Sequence, residues 1–418
     1  MLTFFGFRHH PHATVAHAHS AEVRAGRATP FDRWCLDQLS RALDGVPVEV
    51  RLWNGLVAVV SRPTVATVSI HDRHTLIGLV ARPEMTFGEA YRDGRLEVDG
   101  DLVALLAAVD RKVDWRRQRP ASVFDRLRLG GDRLTARRNV HRHYDLGNDF
   151  YRLWLDEQLV YTCAYFPTED ASLEVAQRAK MDYVCRKADI RPGDVVFEAG
   201  CGWGALALHA ARHYGARVRA WNLSTEQVAY ARERARAEGL DDQVEFVEDD
   251  YRRIGGTCDV FLSVGMLEHV GPRHYHELGE VIDRCLDRAH GRGVLHFIGR
   301  NKPAPFSAWV RRRVFPGAYA PALREALEGT LEPFAFAVLD VENLRLHYAK
   351  TLAHWLARFE ASMDTVGQMF DERFIRTWRL YLAGSQASFA TGCLGLFQVT
   401  FARGTCNDIR WTRADLYG

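Results

Sequence analysis

Between Leu173 and Gly299 helix-like and strand-like segments alternate, and this alternation restricts the fold more than any other feature of the chain. Helix-like stretches (EVAQRAKMDYVCRKADI, GALALHAARHYG, TEQVAYARERARAEGL, HELGEVIDRCLD) are interleaved with runs rich in Val and Phe: DVVFEAG, RVRAWNLS, QVEFVEDD, CDVFLSVGML and RGVLHFIG. Strands this apolar must be buried on both faces, which a parallel sheet covered by helices achieves. The expected class is therefore α/β, with ligands received at the carboxyl ends of the strands.

The first of these strands runs into FEAGCGWG (197–204), where Gly200, Gly202 and Gly204 alternate strictly. A dinucleotide turn takes GxGxxG, its third glycine serving close helix packing. GxGxG is instead the pattern associated with S-adenosyl-L-methionine. Glu198, two residues ahead of Gly200, either accepts hydrogen bonds from the ligand's polar end or orders the turn. The second strand ends in Asn222-Leu223-Ser224, followed by Gln227, polar groups able to bond ribose hydroxyls. The third ends in Asp249-Asp250-Tyr251, an acceptor for an adenine amine and a ring for its face. Three successive strand ends thus point to one cofactor, S-adenosyl-L-methionine.

The remainder of the 418 residues divides around this core. Residues 1–30 read as a flexible tail carrying His9, His10, His12, His17 and His19, without the carboxylates a metal site would want. Residues 31–110 read as a small α+β domain, with VEVRLWNG and VATVSIHD as strands. A basic linker follows at 111–142, with eleven Lys or Arg against three Asp. It reads as a solvated helix or as attachment to an anionic surface. Val123, Phe124, Leu127 and Leu129 among the arginines tilt it towards an amphipathic surface element. Residues 143–405 form the main domain and 406–418 a C-terminal tail. Eight cysteines without a CxxC pair suit reduced thiols. The first residues lack the basic and apolar regions of a signal peptide. No apolar run approaches the roughly 18 residues of a bilayer span, so a cytoplasmic location is expected.

HYDLGNDFYRLWLDEQLVYTCAYF (143–166), FEAGCGWG (197–204), SVGMLEHVGPRHY (263–275), LHFIG (295–299), HYAKTLAHW (347–355) and RTWRLYLAGSQASF (376–389) stand in the order found in one family. The chain resembles the cyclopropane-fatty-acyl-phospholipid synthases and the related mycolic acid methyltransferases. The resemblance implies a Rossmann-like class I methyltransferase domain beside a smaller lipid-associated domain. It also implies methyl(ene) transfer from S-adenosyl-L-methionine to the double bond of an unsaturated phospholipid acyl chain. In this family an alkene attacks the sulfonium methyl, and a bound bicarbonate is thought to remove the proton that lets a cyclopropane close. By resemblance its cage would be Cys163, Glu268, His296, the backbone around Ile298, and Tyr348. Tyr161 and Thr162 match the family's Tyr-Ser pair over the cofactor. The implied partners are phospholipids at an anionic membrane, met peripherally at the inner face of the cytoplasmic membrane; no nucleic acid is implied, and members are often homodimers.

Taken singly, Cys163 reads equally as a small buried hydrophobe, His296 as a core histidine and Glu268 as a helix cap. Ser385 stands where the family commonly has a cysteine proposed for the active site, Ala390 where it has arginine, and Asn222 where it has threonine. These departures bear on the product, since the same cation can also yield a methyl or methylene branch. A non-catalytic lipid-binding relative is the alternative outside enzymes.

Overall fold

The computed structural model describes residues 28–112, 146–304 and 306–417, and the chain divides into two compact units. The smaller unit holds a four-stranded sheet of β1 (Val48–Leu52), β2 (Val57–Val59), β3 (Ala66–Ile70) and β4 (Leu96–Gly100), in the order β2-β1-β3-β4. Helices Pro30–Ala42, Arg73–Ala81, Pro83–Arg92 and Leu102–Lys112 belong to it. The segment MTFGEAYRDGRLEVDG spans the end of helix Pro83–Arg92 and β4.

Two later segments, 306–314 and 363–393, also belong to this smaller unit rather than to one continuous domain at 143–405. The physical reason is side-chain pairing. Ser388 Oγ donates to Asp110 Oδ2 at 2.9 Å, and Arg376 donates to the carbonyls of Tyr91 and Leu96. Arg313 makes a two-pronged ion pair with Glu89, at 2.8 and 2.6 Å. Ser385 lies on helix Glu372–Thr391 of this unit.

The larger unit carries the α/β core. Its sheet contains β5 (Val195–Ala199), β6 (Arg217–Asn222), β7 (Val244–Glu248), β8 (Val260–Val264), β9 (Arg292–Gly299), β10 (Phe336–Asn343) and β11 (Gly395–Arg403). The strand order is β10-β11-β9-β8-β5-β6-β7. Strands β5 to β9 pair in parallel, while β11 runs antiparallel to both β9 and β10. Central β8 and β11 are buried at every position, whereas edge β10 buries only Phe336 and is otherwise half-buried or exposed. That contrast is what two-sided helix cover imposes. The chain reverses its progress across the sheet between β5 and β8, leaving a crevice at their carboxyl ends.

Residues 406–417, expected as a tail, are held to this unit by Asp408 on Arg191 at 2.6 Å and Arg410 on Asp189 at 2.5 Å. The histidine-rich segment to residue 27 and the basic stretch beyond Lys112 lie outside the described residues. All eight cysteines are buried and unpaired. Among the described residues no helix is long and apolar enough to cross a membrane.

Candidate active site

A cavity of about 160 Å³ opens at the carboxyl ends of β5, β6, β7 and β8. Glu198, Gly200, Gly202, Asn222, Gln227, Asp250 and Tyr251, expected from the strand ends, line it, as do Tyr161 and Thr162, implied by the resemblance. The turn after β5 is pinned to β6 because Gly200 N and Cys201 N both donate to Trp221 O, at 2.9 and 3.1 Å. Asn222 Nδ2 donates to Gly202 O at 3.1 Å and to Gln227 Oε1 at 2.7 Å. Asn222 therefore orders the turn as well as facing the cavity.

The three glycines differ in role. A Cβ added at Gly202 (φ +55°) would meet nothing within 4 Å, so the position borders open cavity. Gly204 is not a lining residue. Its Cβ would lie 2.5 Å from Phe246 Cζ and 3.0 Å from Ala231 Cβ, so it permits helix Ala205–Tyr214 to pack closely. Gly204→Ala should cost about 2–4 kcal/mol of stability through overpacking and a left-handed φ. Denaturant titration would read the loss, and the protein that remains folded should bind cofactor normally.

Ser224 likewise lies outside the lining. It is fully buried, and its hydroxyl accepts from Gln227 N at 3.3 Å as the N-cap of helix Thr225–Ala237. The Asp250 carboxylate accepts from Arg252 N at 3.0 Å and pairs with the Arg252 guanidinium at 2.9 Å. Arg252 lies 4.8 Å from the Tyr251 ring centroid, and burial raises the Tyr251 phenol pKa.

Three buried groups missed by the sequence reading surround Thr162. Lys180 lines the cavity and donates to Thr162 Oγ1 at 3.0 Å. Burial lowers its pKa to about 8 against the opposing charges of Asp156 and Glu198. Gln177 Nε2 donates to Thr162 O at 2.9 Å, and the Asp156 carboxylate accepts from Val160 N at 2.8 Å. The available signal was LEVAQRAKMD, where a glutamine and a lysine one turn apart share a helix face with Ala176 and Val184, both buried. Glu198 is 3% exposed, and burial raises its pKa to about 7 while Lys180 lowers it. Its Oε2 has no hydrogen-bond partner.

The expected anion cage lies outside the cavity lining but follows directly from lining residues: Cys163 succeeds Thr162, and Glu268 sits between Met266 and His269. Glu268 Oε1 accepts from Ile298 N at 2.5 Å, while Glu268 Oε2 is buried without a partner. Ile298 thus holds Glu268, and its N–H is not open to an anion. Burial raises the Glu268 pKa to about 7, with the Ile298 bond opposing it. His296, two residues earlier on β9, has Nδ1 2.9 Å from Gln398 Nε2, and its buried Nε2 has no partner. Burial drives its pKa down to about 3, so the ring is neutral.

Cys163 is fully buried, with Sγ 3.1 Å from Ala164 O and 4.0 Å from Leu344 O. Burial pushes its thiol pKa up. Leu344 N donates to Leu396 O at 2.8 Å, and Leu396 pairs with Ile298 across β11 and β9. A relay of contacts through Leu344, Leu396 and Ile298 therefore links Cys163 to Glu268. Tyr348, one turn beyond Leu344 on helix Arg345–Ala361, meets Trp355 at 5.9 Å between ring centroids. Trp355 meets Tyr161 at 5.3 Å, Tyr161 meets Tyr151 at 5.5 Å, and Tyr151 meets Trp203 at 4.9 Å. Aromatic faces thus run continuously from the cavity to Tyr348. Ser385 lies on helix Glu372–Thr391 of the smaller unit.

The family model described as mycolic acid cyclopropane synthetase matches residues 132–399, and a domain of unknown function, DUF7884, matches 35–116. A probable fatty acid methyltransferase of Pseudomonas putida is 36% identical over 91% of this chain and 100% of its own length. The cyclopropane-fatty-acyl-phospholipid synthase of Escherichia coli K12 is 36% identical over 78% of this chain and 85% of its own. Among solved structures, mycolic acid cyclopropane synthase CmaA1, complexed with SAH and CTAB, superposes with a TM-score of 0.61. It is 28% identical and covers 64% of this chain and 98% of its own. The cavity fits S-adenosyl-L-methionine on its own terms, through a buried carboxylate oxygen without a partner and a glycine whose missing side chain leaves ligand space. With that cavity in a sheet of this order, and these relatives spanning most of its length, the chain belongs to the mycolic acid cyclopropane synthetase family and is an S-adenosylmethionine-dependent methyltransferase.

Proposed function

We propose that the protein transfers the methyl group of S-adenosyl-L-methionine to the cis double bond of an unsaturated phospholipid acyl chain and closes a cyclopropane ring. The observation that carries this reading is that Glu268 Oε2 and His296 Nε2 are both buried without partners, Glu268 being held on Ile298 N, two residues along β9 from His296. A π bond is a weak nucleophile, and its attack forms a C–C bond, breaks the S–CH3 bond and leaves a positive charge on carbon. Ring closure then needs one proton removed from the added methyl, in a site closed to water.

The chain's own groups suit those demands. Tyr161, Trp203 and Tyr348 offer ring faces to a developing cation. With the Gln398 amide nitrogen on Nδ1, the neutral His296 carries its proton on Nε2 and is a donor there. Glu268 Oε2 is the complementary acceptor once ionised. A donor and an acceptor of this kind fit bicarbonate, which Glu268 and His296 would hold, with Cys163 and Tyr348 closing the cage. Bound there, bicarbonate would supply the base for the methyl proton. Ile298 would act by fixing Glu268 through its N–H.

Phospholipid at an anionic membrane surface is the proposed substrate source, with peripheral attachment to the inner face of the cytoplasmic membrane. Incubation with methyl-labelled cofactor and vesicles of unsaturated phospholipid should move label into the acyl chains. Turnover should fall at least about tenfold in carbonate-free buffer, the size expected of losing a positioned base. Unlabelled acyl chains would refute the transfer, and indifference to carbonate would refute the cage. A second reading, a methyl- or methylene-branched product, is favoured by Ser385 and by the name of the Pseudomonas putida relative. Chromatography of the labelled chains against a cyclopropane standard separates the two.

A further inference from the structure

Thr162 lines the cofactor cavity, and its hydroxyl is engaged by the buried ammonium of a second lining residue. Lys180 is 2% exposed, and its Nζ lies 3.0 Å from Thr162 Oγ1. An ammonium has three donors and no acceptor. The hydroxyl is therefore the acceptor in this contact, and its own hydrogen has to point elsewhere. No acceptor for that hydrogen exists among the described residues. The threonine methyl is turned to Gly265, whose added Cβ would lie 2.9 Å from Thr162 Cγ2.

The backbone carrying this hydroxyl is fixed as well. Gln177 Nε2 donates to the carbonyls of Val160 and Thr162, at 3.2 and 2.9 Å. The Asp156 carboxylate accepts from Gln158 N at 3.0 Å and Val160 N at 2.8 Å. One helix face, Gln177 and Lys180, thus sets both the path of the segment and the direction of its hydroxyl. Glu198, which lines the same cavity, has a buried carboxylate oxygen with no partner. Lys180 feels the charges of Asp156 and Glu198 together, and the thiols of Cys163 and Cys185.

A cavity lining that offers an obligate O–H donor beside a buried cation, together with a carboxylate acceptor, is complementary to a zwitterion. We infer that Lys180 is a positioning residue that makes Thr162 a donor to the α-carboxylate of the cofactor's amino-acid end, while Glu198 takes its α-ammonium. This inference rests on assigning the cavity to S-adenosyl-L-methionine, and not on the ring-closing reaction. Lys180 and Thr162 together would then make the site selective for a ligand that retains its carboxylate.

The test is binding of S-adenosylhomocysteine and of the same thioether lacking its α-carboxylate, measured by calorimetry on the full chain. The native protein should favour the carboxylate-bearing ligand by about tenfold or more, the worth of one charge-assisted hydrogen bond. Lys180→Met and Thr162→Val should each bring that preference close to one, with little change for the decarboxylated ligand. Because Lys180 acts through Thr162, the double variant should lose no more than Thr162→Val alone. Equal weakening of both ligands would mark Lys180 as merely structural and overturn the inference, as would additive losses. If Lys180→Met does not fold, Thr162→Val decides, and an unchanged preference there is fatal. Failure of lipid methylation with the ligand preference intact would count against the proposed reaction only.

Discussion

Glu268→Gln should lower lipid turnover by about a thousandfold, the range over which positioned acid–base groups act, while cofactor affinity stays within a few fold. The substitution keeps the size of the side chain and its ability to accept from Ile298 N. What it removes is the ionisable oxygen, Oε2, that has no protein partner. The same carboxyl sets a pH dependence with a definite sign. Burial raises the Glu268 pKa to about 7, so the group is neutral below that pH and ionised above it. If the ionised form is the working one, turnover rises as pH passes about 7, and that limb disappears from the residual activity of Glu268→Gln. Glu198 is also raised to about 7 by burial, but it lies in the cofactor cavity. Its titration belongs to cofactor affinity and should survive unchanged in Glu268→Gln. A fully active Glu268→Gln protein would remove Glu268 from the chemistry.

Gly202→Val should abolish cofactor binding in a protein that still folds. The reason lies in the contrast with Gly204. A Cβ at Gly202 meets no protein atom within 4 Å, so its branched side chain would extend into the cavity and occupy ligand space. The left-handed φ of +55° adds about 1–3 kcal/mol of backbone strain, which a domain of this size tolerates. Calorimetry with S-adenosylhomocysteine should show no heat of binding, while the thermal transition remains cooperative. Normal affinity in Gly202→Val would mean that the turn does not touch the ligand.

Much of this site was legible because its signals are local. Strands β5 to β9 are short apolar runs, and β5, β6 and β7 end in polar groups that line the cavity. Strands β10 and β11 went unread. They follow the core after a long excursion, and buried Gln398 and Thr400 interrupt the apolar run of β11. Gly204 and Ser224 were read as ligand groups because spacing alone cannot tell a cradling glycine from a packing one, or a ribose donor from an N-cap. Lys180 was passed over for the opposite reason, since a lysine in a helix ordinarily faces water. Only the fold turns it inward against Thr162. Residues 363–393 were assigned by continuity of the chain, whereas their partner Asp110 lies far away in sequence and was invisible to that reasoning.

The central claim is a methyl transfer to an alkene followed by loss of one methyl proton and closure of a ring. It is tested most directly by supplying cofactor with a trideuterated methyl group to the full chain and vesicles of a cis-unsaturated phospholipid. The released acyl chains are then examined by mass spectrometry and proton NMR. The account predicts a cyclopropane whose new carbon retains two of the three deuterium atoms. A saturated chain bearing an intact trideuterated methyl branch, or chains carrying no deuterium at all, would contradict it.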